Sequence, residues 1–361
     1  MAILMNCQEE VSFIEKNMCG LVKESPMPGN LVYHTDLPLP TPKDDEVLIK
    51  IHCTAVCGTD LHIMEWDDWS QHRVKAPIIS GHETAGDIVA VGKNVTERKV
   101  GDRVSCETHI SCNHCWFCKH GLAHICKNVE LLGVSVPGAF AEYMAIRWDS
   151  TFLLDDSITY EEACMFEPMG AGVHGVESAQ VEGKTVLVSG CGPIGLTAVA
   201  ASKTFGAKLV IACDLIDSRL QDALDMGADV VLNSGKCDLP EEIRKLTDGI
   251  GADAAIDVTG AAPAIRNSLR SVRAAGRLVC VGLPGKPVEL DLTNDLIYRE
   301  VEMTGISGRK IWETWEDFAK VMKGPYFKLE KVLGKRYAMK DFDKAVADIR
   351  GGAPGKMLIY P

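Results

Sequence analysis

Lys184-Thr185-Val186-Leu187-Val188-Ser189-Gly190-Cys191-Gly192-Pro193-Ile194-Gly195 is the stretch whose reading decides the fold. Its first half is a short apolar run rich in β-branched residues, as in a strand buried on both faces. Its second half is G-x-G-x-x-G, and helical character continues from Pro193 to Phe205. The first glycine permits a tight turn, the second lets backbone approach a pyrophosphate, and the third lets helix and strand pack closely. The helix N-terminus then offers its free N–H groups to the phosphates. The same glycines alone would also suit an ordinary turn; the flanking strand and helix give them meaning.

Beyond this unit the alternation continues. Strands are expected over Lys208–Asp214, Asp229–Leu232, Ala254–Thr259, Gly276–Gly282 and Val301–Gly305, with helices over Ser218–Met226, Glu241–Asp248 and Ala262–Ala275. That order predicts an α/β domain with a doubly wound parallel sheet. Its second strand ends in Asp214, nineteen residues after Gly195, where an acid accepts hydrogen bonds from the adenosine ribose. An acid there repels a 2′-phosphate and favours NAD over NADP. Arg219 reads either as a residue that tolerates such a phosphate or as a solvated helix residue.

The flanking chain has another texture. Short β-like runs (Glu46–His52, Ile88–Val91, Arg103–Cys106) are mixed with histidines, cysteines and turn residues, and after Gly308 comes a helical stretch, Trp312–Met322. The expected division is a polar extension at 1–17, a first domain from 18–167 and 310–361, and a dinucleotide-binding domain at 168–309.

The 361 residues are 46% hydrophobic and 24% charged, which fits a globular chain and excludes a disordered or fibrous one. A net charge of −12 leaves no basic excess for phosphates, so neither nucleic acid nor an anionic membrane is an expected partner. The uncharged run Thr185–Ser202 contains three glycines and a proline and reads as strand, turn and helix, not as a membrane span. The first residues lack the basic segment of a signal peptide, so a cytoplasmic location with reduced thiols is expected. Of the 14 cysteines, clustered ones therefore read as metal ligands.

Cys112-x2-Cys115-x2-Cys118-x7-Cys126 is such a cluster. Four thiolates at this spacing suit a tetrahedral zinc whose positions are all filled by protein, a structural site; an iron–sulfur cluster is the rival. His114, His120 and His124 read as solvated loop residues. A second constellation, Cys57-Gly58-Thr59-Asp60-Leu61-His62, then Gly81-His82-Glu83, then Phe166-Glu167-Pro168, brings a thiolate, an imidazole and carboxylates. That mixture suits a zinc with an exchangeable position. Taken singly, each residue reads more readily as a core cysteine, a satisfied histidine or a surface glutamate than as a ligand.

Together, Gly81-His82-Glu83-x2-Gly86-x5-Gly92-x2-Val95, the Cys57 segment, the four-cysteine loop and the glycine fingerprint resemble the zinc-dependent medium-chain alcohol dehydrogenases from about Met18 to Pro361. The resemblance implies a GroES-like β-rich catalytic domain beside a Rossmann domain, NAD, two Zn2+ per chain, a small-molecule alcohol substrate, and a homotetramer or homodimer. It also implies that Cys57, His82 and Glu83 hold the catalytic zinc, with Glu167 at the metal as intermittent ligand or proton-transfer group. Thr59 and His62 would relay the proton. Gly190, Gly192, Ile194, Gly195, Asp214, Arg219, Val281, Gly282, Leu283, Ile306 and Ser307 would contact NAD.

Within the family, Cys57–Gln71 and Gly308–Trp315 are most similar to the branch that oxidises L-threonine. His109 and Arg309 are then candidates for the substrate's carboxylate and ammonium. Gly170-Ala171-Gly172-Val173-His174 departs from that branch's usual Gly-Asn-Ala-Val-His, and Thr84 replaces an apolar residue. These departures, expected near the substrate, leave a polyol, cyclitol or vicinal diol as the alternative. A non-enzymatic zinc-binding interaction module is the alternative from another class.

Overall fold

The computed structural model describes residues 17–361, so the extension expected at 1–17 lies outside the described residues except for Asn17, which opens the first strand. The chain divides into two units, one running to Glu167 and resuming at Lys335–Pro361, the other Pro168–Gly334. The second unit runs past the expected boundary at 309. The helix Glu313–Lys323 turns Trp315, Phe318 and Val321 inward and packs on the helix Pro193–Thr204, so it belongs with the parallel sheet. Among the described residues no helix is long and apolar enough to cross a membrane.

In the first unit an antiparallel sheet has Glu46–Ala55 at its centre, with Glu83–Val91 on one side and Lys356–Tyr360 on the other. Val47, Ile49, Ile51, Ile88 and Val104 fill the core below it. The register sets Ala55 opposite both Glu83 and Leu358, so the ends of three neighbouring strands come level.

The second unit is a six-stranded sheet in the order Val230–Asn233, Leu209–Asp214, Thr185–Ser189, Ala252–Asp257, Val272–Cys280, Glu302–Gly305, with every pairing parallel. Val186, Leu187 and Val188 are fully buried, because helices cover both faces. Leu187, Ile211, Ala255 and Leu278 form the core on one face with Ile243, Ile265 and Leu269 from the covering helices. The helix expected to reach Ala275 ends at Ser271, because Val272 already enters the next strand. The strand order reverses on either side of Thr185–Ser189, the position at which open α/β sheets form a ligand crevice.

Candidate active site and metal centres

At the carboxyl edge of the parallel sheet, Ser189 pairs with Cys213 and Asp257, Asp257 with Cys280, and Cys280 with Gly305. The residues that follow, Gly190, Asp214, Val281 and Ile306, therefore stand in one row. Gly190 has φ +96°, and a Cβ at Gly195 would lie 1.8 Å from the Gly190 carbonyl, so turn and helix admit no side chain there. Gly192 caps the helix without a side chain on its N–H groups, and a Cβ built on it meets nothing within 4 Å. That open space before uncapped amides fits a pyrophosphate. Asp214 is held in place: Oδ2 accepts from the Cys191 amide at 2.8 Å and Oδ1 from the Ile216 amide at 2.9 Å, with Arg219 Nη1 4.0 Å away.

Val281 and Gly282 amides both reach the Asp257 carbonyl, the Ile306 amide reaches that of Cys280, Leu283 is exposed, and Ser307 follows at the same edge. Gly172 approaches the carbonyl of Ile194 so closely that a Cβ would lie 2.5 Å from it. Sequence reasoning missed Asp257, whose buried carboxylate accepts from Thr259 Oγ1 and the Gly260 amide and so shapes the loop beside Gly190.

In the first unit, Cys57 ends the central strand's path and is the N-cap of the helix Gly58–Glu65, while Glu83 begins the neighbouring strand. Ligand atoms of Cys57, His82 and Glu83 all lie within 4.8 Å of one another. His82 Nδ1 and Glu83 Oε2 are buried without a hydrogen-bond partner. Burial alone would raise the Cys57 thiol, but the cations Lys356 and His82 beside it bring it down to about 6. Burial works against the His82 cation, yet the Cys57 thiolate lifts the ring to about 10. Burial pushes the Glu83 carboxyl up, opposed by Lys356. A half-buried thiolate, a buried imidazole and a buried carboxylate with one idle oxygen form a donor set that fits a zinc ion.

The other expected site residues fall around this set. Thr59 Oγ1 lies 3.6 Å from Cys57 Sγ. His62 is one helical turn on and largely exposed, its Nδ1 engaged by Asp67 at 2.7 Å, and among the described residues no hydrogen bond joins it to Thr59. Glu167 accepts the Thr108 hydroxyl at 2.5 Å and stands outside the group whose atoms lie within 4.8 Å. His109 is held by Glu107, whose Oε1 contacts both its amide and Nδ1 at 2.8 Å. Arg309 belongs to the second unit, buried against Gly170 and over the Trp315 ring. Two further residues, both at the metal cluster, had no reading from sequence as site groups. Asp60, three residues after Cys57, accepts the Cys57 amide at 2.9 Å, a capping-box pattern that spacing could have signalled. Lys356, 2.5 Å from Glu83 Oε1, comes from the far end of the chain and had no local signal.

Cys112, Cys115, Cys118 and Cys126 bring their sulfurs together, 3.5 Å between Cys115 and Cys118 and 3.8 Å between Cys115 and Cys126. Cys126 Sγ accepts amides of Cys112 and Asn128, both at 3.3 Å. Backbone N–H groups, that of His114 foremost, lower the Cys112 thiol to about 6. Four sulfurs fed by amide donors fit a metal with all positions filled. His114 and His120 are exposed as expected, but His124 is buried, correcting its reading as a solvated residue.

Residues 43–156 match the Alcohol dehydrogenase GroES-like domain and 193–324 the Zinc-binding dehydrogenase family. The chain belongs to the zinc-dependent alcohol dehydrogenases. An L-threonine 3-dehydrogenase of Symbiobacterium thermophilum is 41% identical over 90% of this chain and 93% of its own length. An Escherichia coli alcohol dehydrogenase solved with NADH superposes with a TM-score of 0.87 at 26% identity, covering 96% of this chain and 100% of that one. A Bacillus subtilis 2R,3R-butanediol dehydrogenase gives 0.83 at 28% identity over 96% and 100%.

Two departures from the threonine branch now have physical reasons within this zinc-dependent dehydrogenase. Gly172 is small because of the Ile194 carbonyl. Thr84 lies fully buried in the sheet, its hydroxyl donating to the Cys53 carbonyl at 3.1 Å, so it answers to the core rather than to a substrate.

Proposed function

We propose that the chain oxidises the 3-hydroxyl of L-threonine, in the reaction L-threonine + NAD+ → 2-amino-3-oxobutanoate + NADH + H+. The observation that carries the reading is the Cys57–His82–Glu83 set, half-buried at Cys57 and buried at the other two, with its idle Glu83 oxygen. The substrate rests on relatives named L-threonine 3-dehydrogenase, and NAD over NADP on the fixed Asp214 carboxylate. Cys57, His82 and Glu83 would hold a zinc that, when bound, supplies Lewis acidity toward the substrate oxygen.

The chain's own residues do the rest. The Thr59 hydroxyl, beside Cys57, would accept a proton, and His62, held by Asp67, would pass one to solvent. Thr108 holds Glu167 in reach of the same charges, since Glu167 acts electrostatically on both His82 and Glu83. Glu107 fixes the His109 ring, leaving Nε2 for the substrate, while Arg309 is the second substrate candidate. The four cysteines would hold a second, structural zinc. A cytoplasmic homotetramer or homodimer belongs to the same reading.

A vicinal diol remains the second substrate reading, favoured by Ala171 and by the likeness to the butanediol dehydrogenase. Initial rates with L-threonine, sorbitol, myo-inositol and 2,3-butanediol, each with NAD and NADP, decide between them. L-threonine with NAD should lead by about a hundredfold or more in kcat/KM, about 2.7 kcal/mol of transition-state preference. A faster polyol or diol would overturn the substrate assignment.

A further inference from the structure

The strand Lys356–Tyr360 enters the first unit from the end of the chain, yet its first residue stands at the metal cluster. Leu358 faces Ala55 and Ile359 faces Thr54, and the Val56 amide donates to the Met357 carbonyl at 3.0 Å. Across the central strand Ala55 faces Glu83. Three neighbouring strands thus deliver Lys356, Cys57 and Glu83 to one end of the sheet. Lys356 Nζ lies 2.5 Å from Glu83 Oε1, and the two side chains are 13% and 0% exposed. Glu83 Oε2 has no hydrogen-bond partner. The backbone of Glu83 is pinned separately, its carbonyl accepting from Thr54 Oγ1 at 2.7 Å and from Cys164 Sγ at 3.0 Å.

Burying an ammonium is costly, and a well-packed apolar pair in place of a buried ion pair is often as stable or more so. A lysine kept in this position calls for a reason beyond stability. Of the three donors, Glu83 alone has an ammonium within hydrogen-bond distance among the described residues. A metal site that works on substrate needs a position that opens, whereas one closed by tight protein ligands is structural. A cation that already holds one oxygen of a carboxylate competes with a metal for that carboxylate and repels the metal itself.

We propose that Lys356 is a positioning residue that keeps Glu83 a weak, exchangeable ligand by holding its Oε1 and leaving only Oε2 to a metal. The inference deepens the zinc reading of Cys57, His82 and Glu83 and rests on it. A lysine that merely neutralised a buried carboxylate would have the opposite signature: its removal would loosen the fold and the metal together.

The test uses the full chain, loaded with zinc or cobalt, as wild type, Lys356→Met and Lys356→Arg. Three readouts are compared: metal retention against a chelator, the visible cobalt bands that Cys57→Ser removes, and kcat apart from KM. Lys356→Met should retain the metal at least tenfold more tightly, alter those bands, and lower kcat at least tenfold with little change in the KM for NAD. Lys356→Arg should restore all three. In a Glu83→Gln background, Lys356→Met should lose most of its effect on retention, because only the direct repulsion between ammonium and metal remains.

Weaker retention in Lys356→Met, or retention and bands indistinguishable from wild type, overturns the proposal, as does a full effect persisting in the Glu83→Gln protein. If Lys356→Met does not fold, the same comparison is made with Lys356→Gln. A wild-type protein with no metal or cobalt band removable by Cys57→Ser would instead sink the ligand reading and the inference with it.

Discussion

Asp60 Oδ1 lies 3.9 Å from His82 Nδ1, and both atoms are buried without a hydrogen-bond partner. The other oxygen of Asp60 takes the Cys57 amide, so one carboxyl group addresses two residues of the cluster. A carboxylate behind a metal-bound imidazole orients the ring and raises its basicity. Asp60→Ala should therefore lower zinc affinity at the cluster about 10–100-fold, the usual cost of losing such a partner. Chelator competition measures it, and unchanged affinity would remove Asp60 from the site.

Cys115 sits between Cys118 and Cys126 in the four-sulfur loop. Because a structural zinc contributes folding free energy directly, Cys115→Ala should release one metal per chain and lower Tm by several degrees. The dinucleotide site should still bind NAD. A Tm equal to that of the wild type would contradict a structural metal there.

In the proposed reading, Asp214 and Arg219 set cofactor choice. With the carboxylate gone, Arg219, 4.0 Å away, becomes free to meet a 2′-phosphate. Asp214→Gly should move the NADP-to-NAD ratio of kcat/KM toward NADP by about a hundredfold, roughly 2.7 kcal/mol. A ratio that does not move would mean that the acid does not face the ribose.

Glu161 carries a pH prediction remote from the metals. Both its oxygens meet Arg336 at 2.6 Å, and Tyr360 donates to Oε1. The Arg336 hydrogen bonds hold the carboxyl below its ordinary value of 4.5. A folded-state value below the unfolded one stabilises the protein above pH 4.5 and ceases to do so as pH falls through the depressed value. Arg336 is half exposed, so solvent screening limits the gain to about 1 kcal/mol or less. Glu161→Gln should lower Tm slightly at pH 7, with the difference closing at acid pH. A difference that grew on acidification would mean that the Glu161 carboxyl is raised, not lowered, in the folded protein.

Legibility from sequence followed the range of the interactions. The glycine turn and Asp214 are local features of one strand–helix–strand unit, and the four cysteines lie within fifteen residues, so spacing alone reached both. Cys57, His82 and Glu83 are apart in sequence and came only through their joint pattern. Lys356 was out of reach as a site group, because its place depends on the register of three strands, whereas Asp60 carried a local signal in its helix-cap spacing from Cys57. Thr84 and Gly172 looked like substrate signals because sequence cannot distinguish a residue near a pocket from one constrained by packing. The helix Glu313–Lys323 was assigned to the wrong side of a boundary for a similar reason, since its apolar face does not say which surface it covers.

The most direct test of the account is Cys57→Ser, assayed for metal content, NAD binding and threonine-dependent NADH formation in one preparation. The wild type should hold two zinc ions per chain and the variant one, with NAD affinity within about twofold and turnover lost by about a thousandfold or more, roughly 4 kcal/mol of transition-state stabilisation. A variant that keeps both metals and its turnover would contradict the assignment of Cys57 to the working metal site.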